Sequence, residues 1–409
     1  MTRRDSPPAP VPGSESRRWP VIAALGILQI LAWGSSFYLP AVLAGPIAAG
    51  TGWPLAWVVG GLALGLLAAA AASPHVGAAI HRHGGRPVLA LAALLLAGGL
   101  TILALAPSLP VYLGGWLVIG LGMGGGLYDP AFATLGRLYG AEARGSITAL
   151  TLWGGFASTV CWPLSAFLVA QVGWRGACLT YAGLHLAVSL PLVLALVPKA
   201  PPPPPAASPR VGTVPLSARE RRAFLLFAGV LILGGAVMAM VSVHLLTLLQ
   251  ARGDSLASAV SHGALIGPAQ VGARLGEMAL KGRHHPLWTL AAALILVTLG
   301  LAALALGAPG LGLWLVIYGG GNGIYSIARG TVPLALFGPA RYPLVVGRLA
   351  RPGLAAQALA PPAGALLLTR AGPEALWWLL LALSLANLVL AAALWRLAAA
   401  TRPGDGGLL

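Results

Sequence analysis

From about Pro20 to Leu397 this sequence is a succession of apolar runs, each near the length a helix needs to cross a membrane, separated by short basic or Pro/Gly-rich loops. A crossing helix takes about 20 mainly apolar residues. Backbone inside lipid must satisfy its own hydrogen bonds, which admits helices and closed barrels. The runs are continuous rather than alternating, so they read as helices. Their approximate limits are 20–44, 54–74, 87–106, 111–135, 146–170 and 177–197, then 223–249, 257–279, 287–307, 311–335, 344–368 and 374–397. Only 8% of the residues are charged, against roughly a quarter in soluble chains. The expected class is an all-α integral membrane protein with twelve transmembrane helices.

The loops give its organisation. Residues 1–18 form a basic N-terminal tail whose polar, Pro-rich composition predicts disorder. Two six-helix bundles follow, over 19–197 and 223–397, with a Pro-rich linker at 198–222 and a C-terminal tail at 398–409. The proline run predicts an extended spacer, and Ser217 with Glu220 has capping-box spacing for a short helix leading into the seventh span. The first apolar run is too long for a signal peptide and reads as a retained span. Arginines such as Arg82, Arg86, Arg137, Arg144, Arg219, Arg341 and Arg348 fall on alternate loops with the tails, whereas the other side has only Arg175, Arg252 and Arg370. Both termini and the linker are therefore expected in the cytoplasm, as in a multi-pass protein of a bacterial-type inner (plasma) membrane. The net charge of +16 is spread over these loops with no aromatic-rich basic face, so no nucleic-acid partner is expected. Cys161 and Cys178 lie in or beside apolar runs and do not suggest a disulfide framework.

One motif occurs twice. Residues 120–129, GLGMGGGLYD, return as 317–326, IYGGGNGIYS, so that Gly122, Gly124, Gly126 and Tyr128 face Gly319, Gly321, Gly323 and Tyr325 at an offset of 197. Pro163 and Gly173 match Pro362 and Gly372 at an offset of 199. Glycine ladders let helix backbones approach closely, and the repetition predicts two related halves. Near the ladders, Asp129 and Arg329 place charge at membrane depth. Such groups are costly there and mark sites by default.

The loop 77–86, GAAIHRHGGR, resembles the loop after the second helix in the major facilitator superfamily: Gly77, Arg82, Gly84 and Arg86 fit its pattern. His81 stands where that family usually has Asp, and Gly85 replaces a basic residue. With twelve spans and a basic central linker, the resemblance covers about 19–400. It implies two pseudo-symmetric six-helix bundles, a cytoplasmic gate built on Gly77, His81, Arg82, Gly84 and Arg86, and a cavity lined by the first, fourth, seventh and tenth helices. Trp116 stands where many members carry an arginine, and 158–166 keeps only Pro163 of the drug/proton antiporter signature.

Helical spacing then picks the cavity candidates. On the tenth span Asn322, Ser326 and Arg329 fall at i, i+4 and i+7, beside Tyr325; on the fourth, Asp129 follows Tyr128. The first span offers Gln29, Trp33 and Ser36, and the seventh His244. For Gln29 and Ser36 the alternative role is hydrogen-bonding between helices, for Trp33 packing, and for Asp129 with Arg329 a structural ion pair. Thr148, Thr151, Gly155, Ser158, Trp162 and Ser165 form one face of the fifth span, expected as a seam between the halves. His185 and Asn387 are expected to be buried hydrogen-bonding groups. The histidines lack zinc-like spacing, so no metal is expected, and no cofactor-binding motif is present.

These features point to a secondary active transporter, not an enzyme. It would move a small organic solute by alternating access, with an organic anion such as a monocarboxylate favoured and proton coupling through Asp129 as a further element. Efflux of neutral or cationic toxic compounds is the alternative, and a membrane-embedded enzyme or sensor a remote one. The expected partners are the lipid bilayer, a small-molecule substrate and protons, with the monomer as the working unit.

Overall fold

The structure, a computed structural model, describes residues 14–199, 216–280 and 283–400. Most of the N-terminal tail, the proline run of the linker and the end of the C-terminal tail lie outside the described residues. Among the described residues every regular element is helical.

Seven continuous helical stretches are long and apolar enough to cross a membrane. Two of them, Leu109–Leu196 and Leu311–Ala399, hold three crossings each. The chain turns within the second stretch at Gly338 and Gly372, and within the first at Gly173. Each of these glycines has φ between 69° and 83°, with ψ extended, a conformation in which a Cβ is strained. A crossing at 256–279, broken after Gly263, completes twelve. It is shorter in each unbroken piece and less apolar than the others, with His262, Gln270, Arg274 and Glu277 along it. The crossings match the expected runs, and several extend further: the second reaches His83 and the eleventh covers 339–371. The capping box of Ser217 and Glu220 is present, but it opens the seventh span directly, as one helix Ala218–Gln250, rather than a separate short helix.

Two breaks in the helices trace to proline. The fourth span runs Leu109–Gly126, breaks at Leu127 and resumes as Tyr128–Tyr139. Pro130 has no N–H to give to the carbonyl of Gly126. Gln29 supplies that bond instead, its Nε2 donating to the Gly126 carbonyl at 2.8 Å. In the eighth span Pro268 likewise withholds a donor from the Ala264 carbonyl, where Leu256–Gly263 ends and Ile266–Ala279 begins.

The repeat is real, but its register differs from the one the glycine spacing suggests. A Cβ on Gly120 or Gly124 would press on the second span, at Gly65 and Ala69; one on Gly319 or Gly323 would press on the eighth, at Ile266 and Gln270. Gly122 faces Leu96 of the third span, and Gly321 faces Ala293 and Val297 of the ninth. The equivalent pairs are thus Gly120 with Gly319, Gly122 with Gly321, and Gly124 with Gly323, all at the offset of 199 that also relates Gly173 to Gly372. Alternating glycines survive a slip of two residues, so Gly-on-Gly matching could not separate 197 from 199. Tyr128 and Tyr325 are consequently not counterparts. The Tyr128 hydroxyl donates to the Thr151 carbonyl of the fifth span, and Tyr325 to Val230 of the seventh.

The halves meet between mid-membrane and the end that carries the linker. The second and eleventh spans approach backbone to backbone: a Cβ on Gly77 would lie 2.5 Å from the Pro343 carbonyl oxygen, and one on Gly347 2.6 Å from that of Ser73. Tyr342, Val346, Ala350 and Leu354 of the eleventh span accordingly belong to the apolar core of the first half. The far segments of the first span, Leu39–Thr51, and of the eighth, Leu256–Gly263, pack within their own halves.

Candidate functional site

Asp129 sits in the first turn of the helix that restarts after Leu127. That end carries the positive pole of the helix, which favours a carboxylate. Its Oδ2 accepts from Arg329 Nη2 at 2.5 Å, and both side chains are 15% exposed. The pair joins the fourth span to the tenth, and so one half to the other. Arg329 is not used up by it: its Nε is buried without a hydrogen-bond partner. Both residues line a cavity between the halves, with Trp33, Tyr128, Gly77 and Gln357 among its walls.

The other expected residues divide. Trp33 and Tyr128 reach this cavity. Gln29 is fully buried, bridging Trp33 Nε1 and the Gly126 carbonyl. Ser36 donates back to the Ala32 carbonyl at 2.5 Å. Gln29 ties the first span to the fourth, Ser36 bonds only within its own span, and neither lines the cavity. Ser326 folds back onto the Gly323 carbonyl at 2.6 Å. His244 is buried with Nε2 2.9 Å from the Pro361 carbonyl oxygen, inside the second half. Asn322 and Tyr325 line a different cavity, with Tyr318, Ser384 and Asn387. A helical stripe of three polar residues spans enough angle to serve two spaces, and here it does. His185 is the buried hydrogen-bonding group expected, between Ser35 and Ser189. Asn387 is buried too, but its Oδ1 has no partner.

The residue that sequence reasoning missed is Arg274. It is 5% exposed in the second segment of the eighth span, Ile266–Ala279. Its Nε donates to the Gly323 carbonyl at 3.1 Å, Nη1 to the Thr151 carbonyl at 3.1 Å and Nη2 to Gln270 Oε1 at 3.2 Å. Every one of these acceptors is neutral, and no carboxylate pairs with it among the described residues. Gly155 makes the room: a Cβ there would overlap the guanidinium, and one on Gly154 would overlap the Tyr128 hydroxyl. Of the face expected as a seam, Thr151 and Gly155 meet the second half, whereas Ser165 bonds Tyr181 within the first half and Trp162 is exposed. The signal for Arg274 was present, since Gln270, Arg274 and Glu277 repeat the i, i+4, i+7 spacing of Asn322, Ser326 and Arg329.

At the linker end, Glu277 gathers a polar cluster. Its Oε1 accepts from Thr289 at 2.7 Å, lies 3.1 Å from His284 Nε2 and 3.9 Å from Arg144 Nη2, while Arg144 also donates to the His284 carbonyl. Arg144 belongs to the first half and the others to the second. In the expected gate loop, Gly84 makes the turn with φ 78°, and His81 is 5% exposed. Gly85 has a steric reason: a Cβ there would run into Thr134 of the fourth span. Arg341 pairs with Glu220 at the same end.

The family model described as Major Facilitator Superfamily matches residues 22–347. The chain belongs to that superfamily. Its fold agrees. The human organic anion transporter MFSD10 (TETRAN) superimposes with a TM-score of 0.74 at 20% identity, covering 92% of this chain and 99% of that one. FucP, described in its outward conformation, gives 0.72 at 12% identity, covering 91% and 98%. The proton:xylose symporter XylE gives 0.66 at 13%, covering 93% and 96%. Among curated proteins, mouse monocarboxylate transporter 11 is 39% identical over 189 residues, 44% of this chain and 40% of that protein. The human protein is 38% identical over the same length, 44% of this chain and 38% of it. The chain therefore spans about 40% of the length of the curated relatives it matches.

Membership makes one departure explicable. Trp116, where many facilitators carry an arginine, is 1% exposed, and its indole occupies the space left by Gly61 and Gly65 of the second span. The positive charge near the middle of this member comes instead from the eighth and tenth spans, through Arg274 and Arg329.

Proposed function

We propose that this multi-pass membrane protein is a secondary active transporter of a small organic anion such as a monocarboxylate. The two halves rock about the cavity between Trp33, Tyr128, Asp129 and Arg329. The observation that carries the reading is a surplus of positive charge where the halves meet. Asp129 neutralises one guanidinium, and Arg274, held only by neutral acceptors, is left over. A buried cation without a counter-ion is costly, and a visiting monoanion supplies the missing charge. The Arg329 fork still has its Nε to offer, and guanidinium suits carboxylate capture. The likeness to part of a monocarboxylate transporter supports the same class.

The end bearing the linker and both tails faces the cytoplasm of a bacterial-type inner membrane, by the distribution of arginine. In that orientation, closure of the halves at the linker end makes this an outward-facing state. Proton coupling runs through Asp129, and the working unit is the monomer. The test is a counterflow screen of the purified chain in proteoliposomes, using small carboxylates, sugars and lipophilic cations. Exchange of a monocarboxylate, with sugars and cations inert, is the expected result. Exchange of sugars or cations alone contradicts it.

A further inference from the structure

The walls of the central cavity define the body of the substrate as its charged corner defines the head. Trp33, Phe37, Leu66, Met123, Leu127 and Leu354 line it. The Trp33 ring lies 5.2 Å from that of Tyr128 and 5.3 Å from that of Phe37, and Tyr128 stacks on Phe132 at 5.2 Å. Trp33, Phe37 and Tyr128 make an aromatic wall beside Asp129 and Arg329, with Phe132 packed behind Tyr128.

The hydrogen-bonding groups on the same surface are already engaged with the chain. Trp33 Nε1 donates to Gln29 at 3.2 Å, the Tyr128 hydroxyl to the Thr151 carbonyl at 3.2 Å, and the Ser73 hydroxyl to the Ala70 carbonyl at 3.0 Å. Gln357 Nε2 reaches the Gly353 carbonyl at 3.4 Å. A substrate hydroxyl placed against this wall leaves water and finds few partners in exchange. A substrate ammonium finds Asp129 held by Arg329. One buried donor beside them, Arg329 Nε, has no hydrogen-bond partner.

We infer that the transported anion is a monocarboxylate with a bulky apolar body, aryl or branched alkyl, free of hydroxyl and amino groups. Its carboxylate meets Arg329 and its body lies against the Trp33 wall. The inference rests on the anion reading of the same site and narrows it.

The experiment uses the full chain in proteoliposomes, with labelled phenylacetate and labelled lactate as parallel counterflow tracers. Phenylacetate, 4-methylvalerate, lactate, gluconate and phenylalanine serve as competitors. Phenylacetate and 4-methylvalerate are expected to compete at concentrations at least about tenfold below lactate, gluconate and phenylalanine, the discrimination an apolar pocket commonly gives. Trp33→Ala is expected to narrow that gap, and the ratio in the unaltered chain decides the matter even if the variant does not fold. If lactate, gluconate or phenylalanine competes as well as phenylacetate, the inference on the body is overturned while the anion reading stands. If no carboxylate exchanges, both fall.

Discussion

Arg274 and Tyr128 share one acceptor: the Thr151 carbonyl takes Nη1 of the guanidinium at 3.1 Å and the phenol hydroxyl at 3.2 Å. Arg274 belongs to the second half, Tyr128 and Thr151 to the first. A cavity residue, a buried cation and the seam between the halves therefore meet at a single oxygen.

Arg274→Lys keeps the charge and cannot reach all three acceptors. Counterflow is expected to fall at least tenfold. A hydrogen bond to a charged group is worth about 1.5–3 kcal/mol, and the lysine ammonium makes fewer of them, so the melting temperature in detergent is also expected to drop. A variant that melts earlier yet transports normally would limit Arg274 to a structural part.

The cluster around Glu277 is the second tie across the seam, one helical turn further toward the linker end than Arg274. Glu277→Gln removes the charge that faces Arg144 while retaining an acceptor for Thr289. Cysteine-accessibility labelling from the linker side is expected to increase. Unchanged labelling would mean that this pair does not hold the halves together.

Gly347 packs against the Ser73 carbonyl and the Gly77 backbone. Gly347→Leu forces the second and eleventh spans apart at the closed end. The expected outcome is a shift toward the state open at the linker end, seen as loss of cross-linking between cysteines placed in those two spans. Cross-linking at the original rate would contradict the packing argument.

Asp129→Asn tests coupling. Accumulation driven by a pH gradient is expected to disappear while exchange of substrate for substrate continues. Accumulation that survives the substitution would remove Asp129 as the proton carrier.

Much of the fold was legible because lipid imposes it. A run of apolar residues fixes a crossing helix, and the arginine pattern fixes which ends share a side. The eighth span shows where apolarity stops being informative: Arg274 and Glu277 lower it, and Pro268 breaks it. The site was legible in part. Asp129 and Arg329 announced themselves as charges at depth, and they pair across the halves. Gln29 and Ser36 looked the same as cavity residues on a helical wheel, but their side chains satisfy carbonyls freed or exposed by local geometry, Gly126 beside Pro130 and Ala32 before the break at 35–38. The sequence spacing of Asn322 and Arg329 could not tell that they serve separate spaces. The repeat register was ambiguous for a similar reason, since alternating glycines read alike after a two-residue slip.

The central claim is that Arg329 receives the carboxylate of an anionic substrate at the junction of the halves. The most direct measurement is binding of the carboxylate identified by counterflow to the purified chain, compared with Arg329→Lys and Arg329→Ala. Lysine retains the charge without the fork, and alanine removes both. The account predicts affinity reduced at least tenfold in Arg329→Lys and further in Arg329→Ala. Binding unchanged in both variants would contradict it.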